Sequence, residues 1–406
     1  MRKIGPIATA GILCLSAFAG IQAPPPQTAL ARDPIARTSA AESDPQARPG
    51  APAAVGVQKD GRTILPVNQI ATPAGTQIEL SRVRPQAMAL SPDGKILVTA
   101  GKSAELIVID PAAATIRQRV LLPPEPPGAQ NPEPASENIL KPDDKGQLSF
   151  TGLVFSPDGR TIYLSNVNGS IKVFSVAGDG TVAPLKSFAL PGAYAPRRQE
   201  EIPAGIAVSP DGKRIYVALN LSNRLGEFDA ADGRLVRMFD AGALPFDVVL
   251  VGRKAYVSNW GGRRPAKGEL TGPAGRGTVV KVDPVKQVAS EGSVTVIDLA
   301  SGKALAEIVT GLHASALAVS PGGRHVVCAN AASDTLTVIE TRTDTVAETI
   351  WAKPSPADLF GAQPNALAFD PSGRTLYVAN GTQNAVAVVA FAPSERASNL
   401  EGLIPV

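Results

Sequence analysis

The chain has 406 residues, 44% of them apolar and 18% charged, with 38 Gly, 37 Pro and a formal net charge of +3. That length suits one large core divided among repeated units, and so small a net charge gives no case for nucleic-acid binding by bulk charge alone. Two histidines and two cysteines leave little for a His/Cys metal site.

In chain order, Arg2 and Lys3 precede an apolar run from Ile4 to Phe18 that is short for a membrane span. Ala17-Phe18-Ala19 and Ala29-Leu30-Ala31 both fit small-x-small cleavage sites. Residues 1–19 therefore read as a Sec-type signal peptide, with cleavage after 31 as the alternative and an uncleaved anchor as the competing account. The expected location is a bacterial periplasm or the exterior. Cys328 is then the one cysteine of the mature chain, a buried structural thiol rather than half of a disulfide. Residues 20–60, rich in Pro, Ala and Gln, read as a disordered linker, and 61–406 as the folded domain. Within that domain, 62–80 hold strand material without a repeat motif.

From Ser91 onward a turn recurs. Ser91-Pro92-Asp93-Gly94, Ser156-Pro157-Asp158-Gly159 and Ser209-Pro210-Asp211-Gly212 are identical, and Ser320-Pro321-Gly322-Gly323 and Asp370-Pro371-Ser372-Gly373 are variants. Pro pre-sets φ, Ser or Asp bonds back to the backbone, and Gly tolerates positive φ. The flanking Val, Ile, Leu and Tyr runs read as strands. A third strand follows (105–110, 170–176, 293–299, 335–341, 385–391), then a short polar turn and a fourth. Residues 245–259 form a degenerate unit in which Val251-Gly252-Arg253-Lys254 replaces the proline turn. Six units begin near 87, 151, 204, 245, 314 and 365. Four antiparallel strands per unit, repeated, predict an all-β propeller.

In that topology the proline turns and the third-to-fourth turns share one face, and both are short. The long segments 122–148, 191–203, 260–292 and 352–363 fall on the other, where a rigid scaffold usually carries binding loops. That face also receives Asn166, Asn220, Asn259, Asn330 and Asn380 at the ends of second strands, read first as turn caps. The insertion 260–292 carries Arg263, Arg264, Lys267, Arg276, Lys281 and Lys286 against Glu269, Asp283 and Glu291. Its glycines suggest a flexible loop that could meet an anionic ligand or a partner. Arg84, Gln86, Thr151, Phe246, Asp247, His313 and Asn365 would ring the channel mouth, with Trp260 beside Asn259.

No HExxH, CxxC, P-loop or GxSxG is present, so nothing in the motifs points to catalysis. No cofactor or metal is expected. Carboxylate-held Ca²⁺ stays open, although no EF-hand loop occurs.

The strands RTIYLSN, KRIYVALN, KAYVSNWGG and RTLYVANG resemble the YVTN β-propeller repeat family, which includes surface-layer-type and YncE-like exported proteins. The resemblance spans about 62–403 and implies seven blades, one of them degenerate or truncated here. The pattern departs at Leu97-Val98-Thr99-Ala100, where the Asn is lost. The stretch KAYVSNWGGRRPAKG…GTVVKVDP…EGSVTVIDLASG is similar to the propeller that precedes an alkaline-phosphatase-superfamily phosphoesterase domain in some bacterial two-domain proteins. This chain shows no phosphatase-type metal motif. The expectation is an exported, non-catalytic scaffold that binds a protein partner or small anionic ligand through its long-loop face. The proposed contact residues are Arg84, Gln86, Thr151, Asp247, Asn259, Trp260, Arg263, Arg264, Lys267, His313 and Asn365. The alternatives are a lactonase-like or phosphoesterase-type hydrolase, and DNA binding through 260–292.

Overall fold

The computed structural model describes residues 55–58, 62–64, 70–81, 83–101, 103–126, 149–196, 198–274, 278–359 and 361–406. The signal-peptide reading, most of the linker and most of the 122–148 crossing lie outside them. The chain divides into two units at Thr72/Pro73. The first contributes a small antiparallel sheet of Gly56–Val57, Thr63–Ile64 and Ile70–Ala71.

The second unit is all-β, with six four-stranded antiparallel blades. Blade 1 is Pro85–Leu90, Leu97–Gly101, Glu105–Asp110 and Thr115–Leu121. Blade 2 is Ser149–Phe155, Thr161–Asn166, Ser170–Val176 and Val182–Ala189. Blade 3 is Pro203–Val208, Arg214–Leu219, Arg224–Asp229 and Leu235–Asp240. Blade 4 is Pro245–Val251, Lys254–Asn259, Gly292–Asp298 and Ala304–Thr310. Blade 5 is Ala314–Val319, His325–Asn330, Thr335–Glu340 and Thr345–Trp351. Blade 6 is Pro364–Phe369, Thr375–Asn380, Ala385–Ala390 and Asn399–Pro405. The expected starts hold for all six, including the degenerate unit at 245.

The proline turns work as their residues dictate. The Ser91 hydroxyl donates to Asp93 Oδ1 at 2.6 Å and accepts from the Ile96 amide at 2.9 Å, while Gly94, at φ 73°, returns its amide to the Ser91 carbonyl. The pattern repeats at Ser156/Asp158/Thr161 and Ser209/Asp211/Arg214. In blade 6 Asp370 takes the part of the serine and accepts from the Thr375 amide. The degenerate unit closes instead with a two-residue loop, Gly252 at φ 57° and Arg253, between paired Val251 and Lys254.

These hydrogen bonds, the serine hydroxyl's first, hold Asp93, Asp158 and Asp211 below the usual carboxylate range. A depressed pKa contributes stability above the unfolded value near 3.8, lost as pH falls through the folded values. We therefore expect the wild type to lose stability below about pH 4. The triple variant D93N/D158N/D211N should lose less over that range, as read by circular dichroism during acid titration.

Second strands lie inside each blade and, in blades 1–5, are buried on both faces: Ile215, Tyr216, Val217, Ala218 and Leu219 are all buried, whereas Tyr377 in blade 6 is exposed. Such strands read as unbroken apolar runs. Outer strands alternate, as in Thr115–Leu121, where only Val120 is fully buried. Apolar side chains from adjoining blades form one shared cluster at each of five boundaries, blades 1/2, 2/3, 3/4, 4/5 and 5/6. The remaining side of blade 1 is covered by Ile78, Leu80 and Val83, which pack on Ile107 and Ile109. Nearby, the Ala74 amide bonds to the Pro405 carbonyl of the last strand of blade 6.

Candidate functional site

A meander of four antiparallel strands leaves its second-to-third turn and its exit crossing at the same end, so crossings and insertion share a face. Side chains fix the crossings there. Asp334, buried in the blade 5 hairpin loop, accepts from the amides of Gly361, Ala362 and Gln363 at 2.8, 3.0 and 3.0 Å. Asn223 Oδ1 accepts from the Leu244 amide, and the Ser333 hydroxyl accepts from the Leu312 amide. Buried Glu201 accepts from the Leu221 and Ile202 amides and the Ser222 hydroxyl. Leu244, His313 and Gln363, each just before an inner strand, hold positive φ of 56°, 54° and 50°. Backbone strain of this kind persists only where the surroundings over-determine it.

Asn166 caps its turn, its Oδ1 accepting from the Asn168 amide at 2.9 Å, whereas the side chains of Asn220, Asn259, Asn330 and Asn380 donate to other segments rather than capping a turn amide. Asn259 Nδ2 donates to Ser293 Oγ and Thr295 Oγ1 at 3.1 and 2.9 Å, and Asn330 Nδ2 to Thr335 and Thr337 at 3.0 and 2.9 Å. Asn220 Nδ2 reaches the Pro245 carbonyl of the next blade at 2.9 Å.

At the channel mouth three rings meet. Phe246 stacks on Trp260 at 5.3 Å between centroids, and Trp260 meets His313 at 5.1 Å. Burial lowers the His313 pKa, favouring the neutral imidazole. The Thr151 hydroxyl donates to the Phe246 carbonyl at 3.4 Å, so blades 2 and 4 touch here. Gln86 and Asn365 are half-buried and Arg84 is exposed. Asp247 lies one residue deeper. Its oxygens accept from the Val248 and Leu317 amides, both at 2.8 Å, which joins blade 4 to blade 5.

Burial pushes Asp247 up to about 6, against the two amides that favour its charged form. Between the unfolded value near 3.8 and about 6 the native state binds more protons than the unfolded chain. Stability therefore falls as pH rises through that window. Urea denaturation at pH 4.5 and 6.5 should show this slope in the wild type and a flatter one in D247N.

The insertion 260–292 departs from a flexible loop. Thr271–Ala274 and Thr278–Lys281 pair as a hairpin, and Val280 and Val282 pack on Ala243 of the blade 3/4 crossing. Three of its basic residues, Arg263, Arg264 and Lys281, are engaged, and Arg276 lies outside the described residues. Arg263 pairs with Glu269 and, at 3.0 Å, with Glu291, while Lys281 lies 3.4 Å from each of the same two carboxylates. These partners hold Glu269 down to about 2, the Arg263 hydrogen bond foremost. Arg264 donates to the Ala241 and Asn223 carbonyls and lies 3.1 Å from Asp240. Lys267 is exposed. Of the residues singled out from the sequence, Thr151, Asp247, Trp260 and His313 thus lie at the channel and Arg263, Arg264 and Lys267 on the insertion, while Asn259 ties the second strand of blade 4 to the third.

Large apolar side chains stand exposed on the same face: Tyr194 on the blade 2/3 crossing, Leu270, Val279, Val285 and Val288 on the insertion, and Leu359 on the blade 5/6 crossing. Sequence reasoning missed this feature. Its signal was present in the apolar residues scattered through otherwise polar long loops.

Residues 281–401 match the model of a family described as lactonase, 7-bladed beta-propeller. The chain is a β-propeller. Among solved structures, the propeller resembles Kuenenia stuttgartiensis hydrazine synthase with a TM-score of 0.57 and 18% identity, over 82% of this chain and 90% of that one. It also resembles U3-55K (TM-score 0.58, 10% identity, 81% and 84% covered) and the RRP9 WD40 repeats (TM-score 0.57, 10% identity, 81% and 82% covered). At such identities the likeness speaks for fold alone. No curated protein matches the chain. The matched family has seven blades, whereas the described residues form six. Among those residues no helix is long and apolar enough to cross a membrane, and no cluster of His, Cys, Asp or Glu is arranged to hold a metal ion.

Proposed function

We propose that this propeller is an exported, non-catalytic scaffold that recognises a protein partner through the face bearing its crossings and the 260–292 hairpin. One observation carries the reading: exposed apolar side chains on that face project from anchored rather than loose segments. Tyr194 is 63% exposed, Val285 87% and Leu359 93%, while their segments are held by Ser222, whose hydroxyl accepts from the Tyr194 amide, by the Arg263 ion pairs and by Asp334. Preorganised loops lose less entropy on binding, and exposed aromatic and aliphatic tips are what a partner would cover. With Arg263 and Lys281 paired internally, a protein surface is favoured over a small anion at those two residues.

A photo-crosslinking side chain placed at Val285 or Leu359 of the full chain in living cells tests this, with Asp211 on the turn face as control. A discrete protein adduct from the first two positions and none from the third supports the reading. Equal adducts from both faces, or none from either, overturns it.

The lactonase-model match keeps one hydrolytic reading in play, with Asp247 as its candidate base near pH 6. Both Asp247 oxygens already accept backbone amides, which favours a structural role. Turnover of a simple lactone by the wild type that vanishes in D247N would reverse the preference.

A further inference from the structure

Two guanidinium groups on the loop face converge on one carboxylate oxygen. Arg224 Nε lies 3.5 Å and Arg264 Nη2 3.1 Å from Asp240 Oδ1. They arrive from different blades, Arg224 from the start of the third strand of blade 3 and Arg264 from the blade 4 insertion. Neither can swing freely. Arg264 is held by the Ala241 carbonyl at 2.8 Å and by the Asn223 carbonyl. Arg224 lies under the Tyr194 ring, 5.0 Å from its centroid. Asp240 remains 72% exposed. Lys267, three residues beyond Arg264, is exposed and adds a third positive charge.

Two guanidinium groups thus face one solvated carboxylate, with exposed Lys267 nearby in sequence, in a frame held by backbone carbonyls and capped by a largely exposed aromatic ring. Paired guanidinium forks match carboxylates in geometry as well as charge, and a prepositioned fork loses little side-chain entropy on binding. Resting on the protein-recognition reading above, we propose that Arg224, Arg264, Lys267 and Tyr194 receive an acidic segment of the partner. Its carboxylates would bridge the two arginines, and a neighbouring apolar side chain would lie against Tyr194. Asp240 then acts as an internal competitor that holds the forks apart from other anions until a multivalent acidic chain displaces it.

The probe is a fluorescein-labelled peptide of alternating glutamate and leucine, read by fluorescence anisotropy against the full chain. Its glutamine counterpart and a short single-stranded DNA of equal charge are the controls. Expected are binding of the glutamate peptide alone, and weakening as salt rises from about 50 to 300 mM, where the screening length shortens. R224A should bind about tenfold more weakly, and K267A a few-fold. D240N should bind several-fold more tightly, with an unchanged melting temperature showing that the fold is intact. Equal binding of the glutamine peptide overturns the proposal, as does weaker binding by D240N. DNA binding as tight as the peptide's would make this a general polyanion site and overturns it too. If the peptide fails while the Val285 and Leu359 adducts persist, the acidic chemistry is wrong and partner recognition stands. If both fail, the wider reading falls.

Discussion

K172M is expected to destabilise the protein by about 3 kcal/mol, the cost typical of removing one member of a buried ion pair. Lys172 lies in the third strand of blade 2 and is fully buried. Its ammonium is 2.9 Å from Glu125 Oε1 and donates to the Pro123 carbonyl at 3.0 Å. Glu125 also accepts from the Ser170 hydroxyl at 2.7 Å and from Asn168 at 3.4 Å. One buried cation thus anchors the start of the 122–148 crossing to blade 2. Desolvation lowers the Lys172 pKa, with Glu125 opposing it. The pair therefore holds a charge that burial disfavours, and loss of either partner leaves the other uncompensated. Replacing both is a different case, because a packed apolar pair can be neutral or better. K172M/E125L should recover most of the loss. Urea denaturation of the two variants decides it: a single variant within about 0.5 kcal/mol of wild type would mean that the pair is dispensable.

G205A should cost a similar amount for a steric reason. Gly205 lies in the inner strand of blade 3, against the inner strand of blade 4. A Cβ there would collide with Asp247 Oδ1 and lie 2.7 Å from Asp247 Cα and 3.0 Å from the Val248 nitrogen. Those last two are backbone atoms, so relief requires the blades to part. Overpacking a tight site costs about 1–3 kcal/mol, and the upper end is expected because the same shift would strain the Asp247–Leu317 bond. Gly152 presses in the same way on the Ala204 carbonyl, between blades 2 and 3. A G205A melting temperature within 1–2 °C of wild type would show the inner strands to be more yielding than close packing allows.

The wheel was legible because its signals are local. Ser91, Pro92, Asp93 and Gly94 complete their hydrogen bonding within six residues, so the turn declares itself wherever it recurs. The third strand of blade 3, Arg224–Asp229, was harder to see. Gly226 and Glu227 interrupt its apolar pattern: Gly226 is there because Phe228 and Leu219 occupy the space a Cβ would need, and Glu227 is buried against Arg214 and Arg237. The hairpin at Thr271–Lys281 was hidden by its short strands and by Pro273 within the first of them. Asn166 was readable as a cap, but the bonds of Asn259 and Asn330 to hydroxyls on the third strand were not. The contacts that define the loop face, Lys172 with Glu125, Asp334 with 361–363, and Arg224 and Arg264 with Asp240, join residues remote in sequence. No pattern along one chain announces them. The ion pairs also explain why a count of basic residues overstated how much positive charge the insertion presents.

Among the described residues, five apolar clusters join six blades, and none of them spans from the sixth back to the first. Between blades 6 and 1 the link is the segment 74–83, which packs on blade 1 and bonds to Pro405; in apolar clusters the blades thus form a row, and a row whose stability comes from neighbour contacts frays from its termini. Blades 1 and 6 each have one shared neighbour where the inner four have two. Slow amide exchange should therefore be concentrated in blades 3 and 4, and a pulling force applied at the C-terminus should strip blade 6 first.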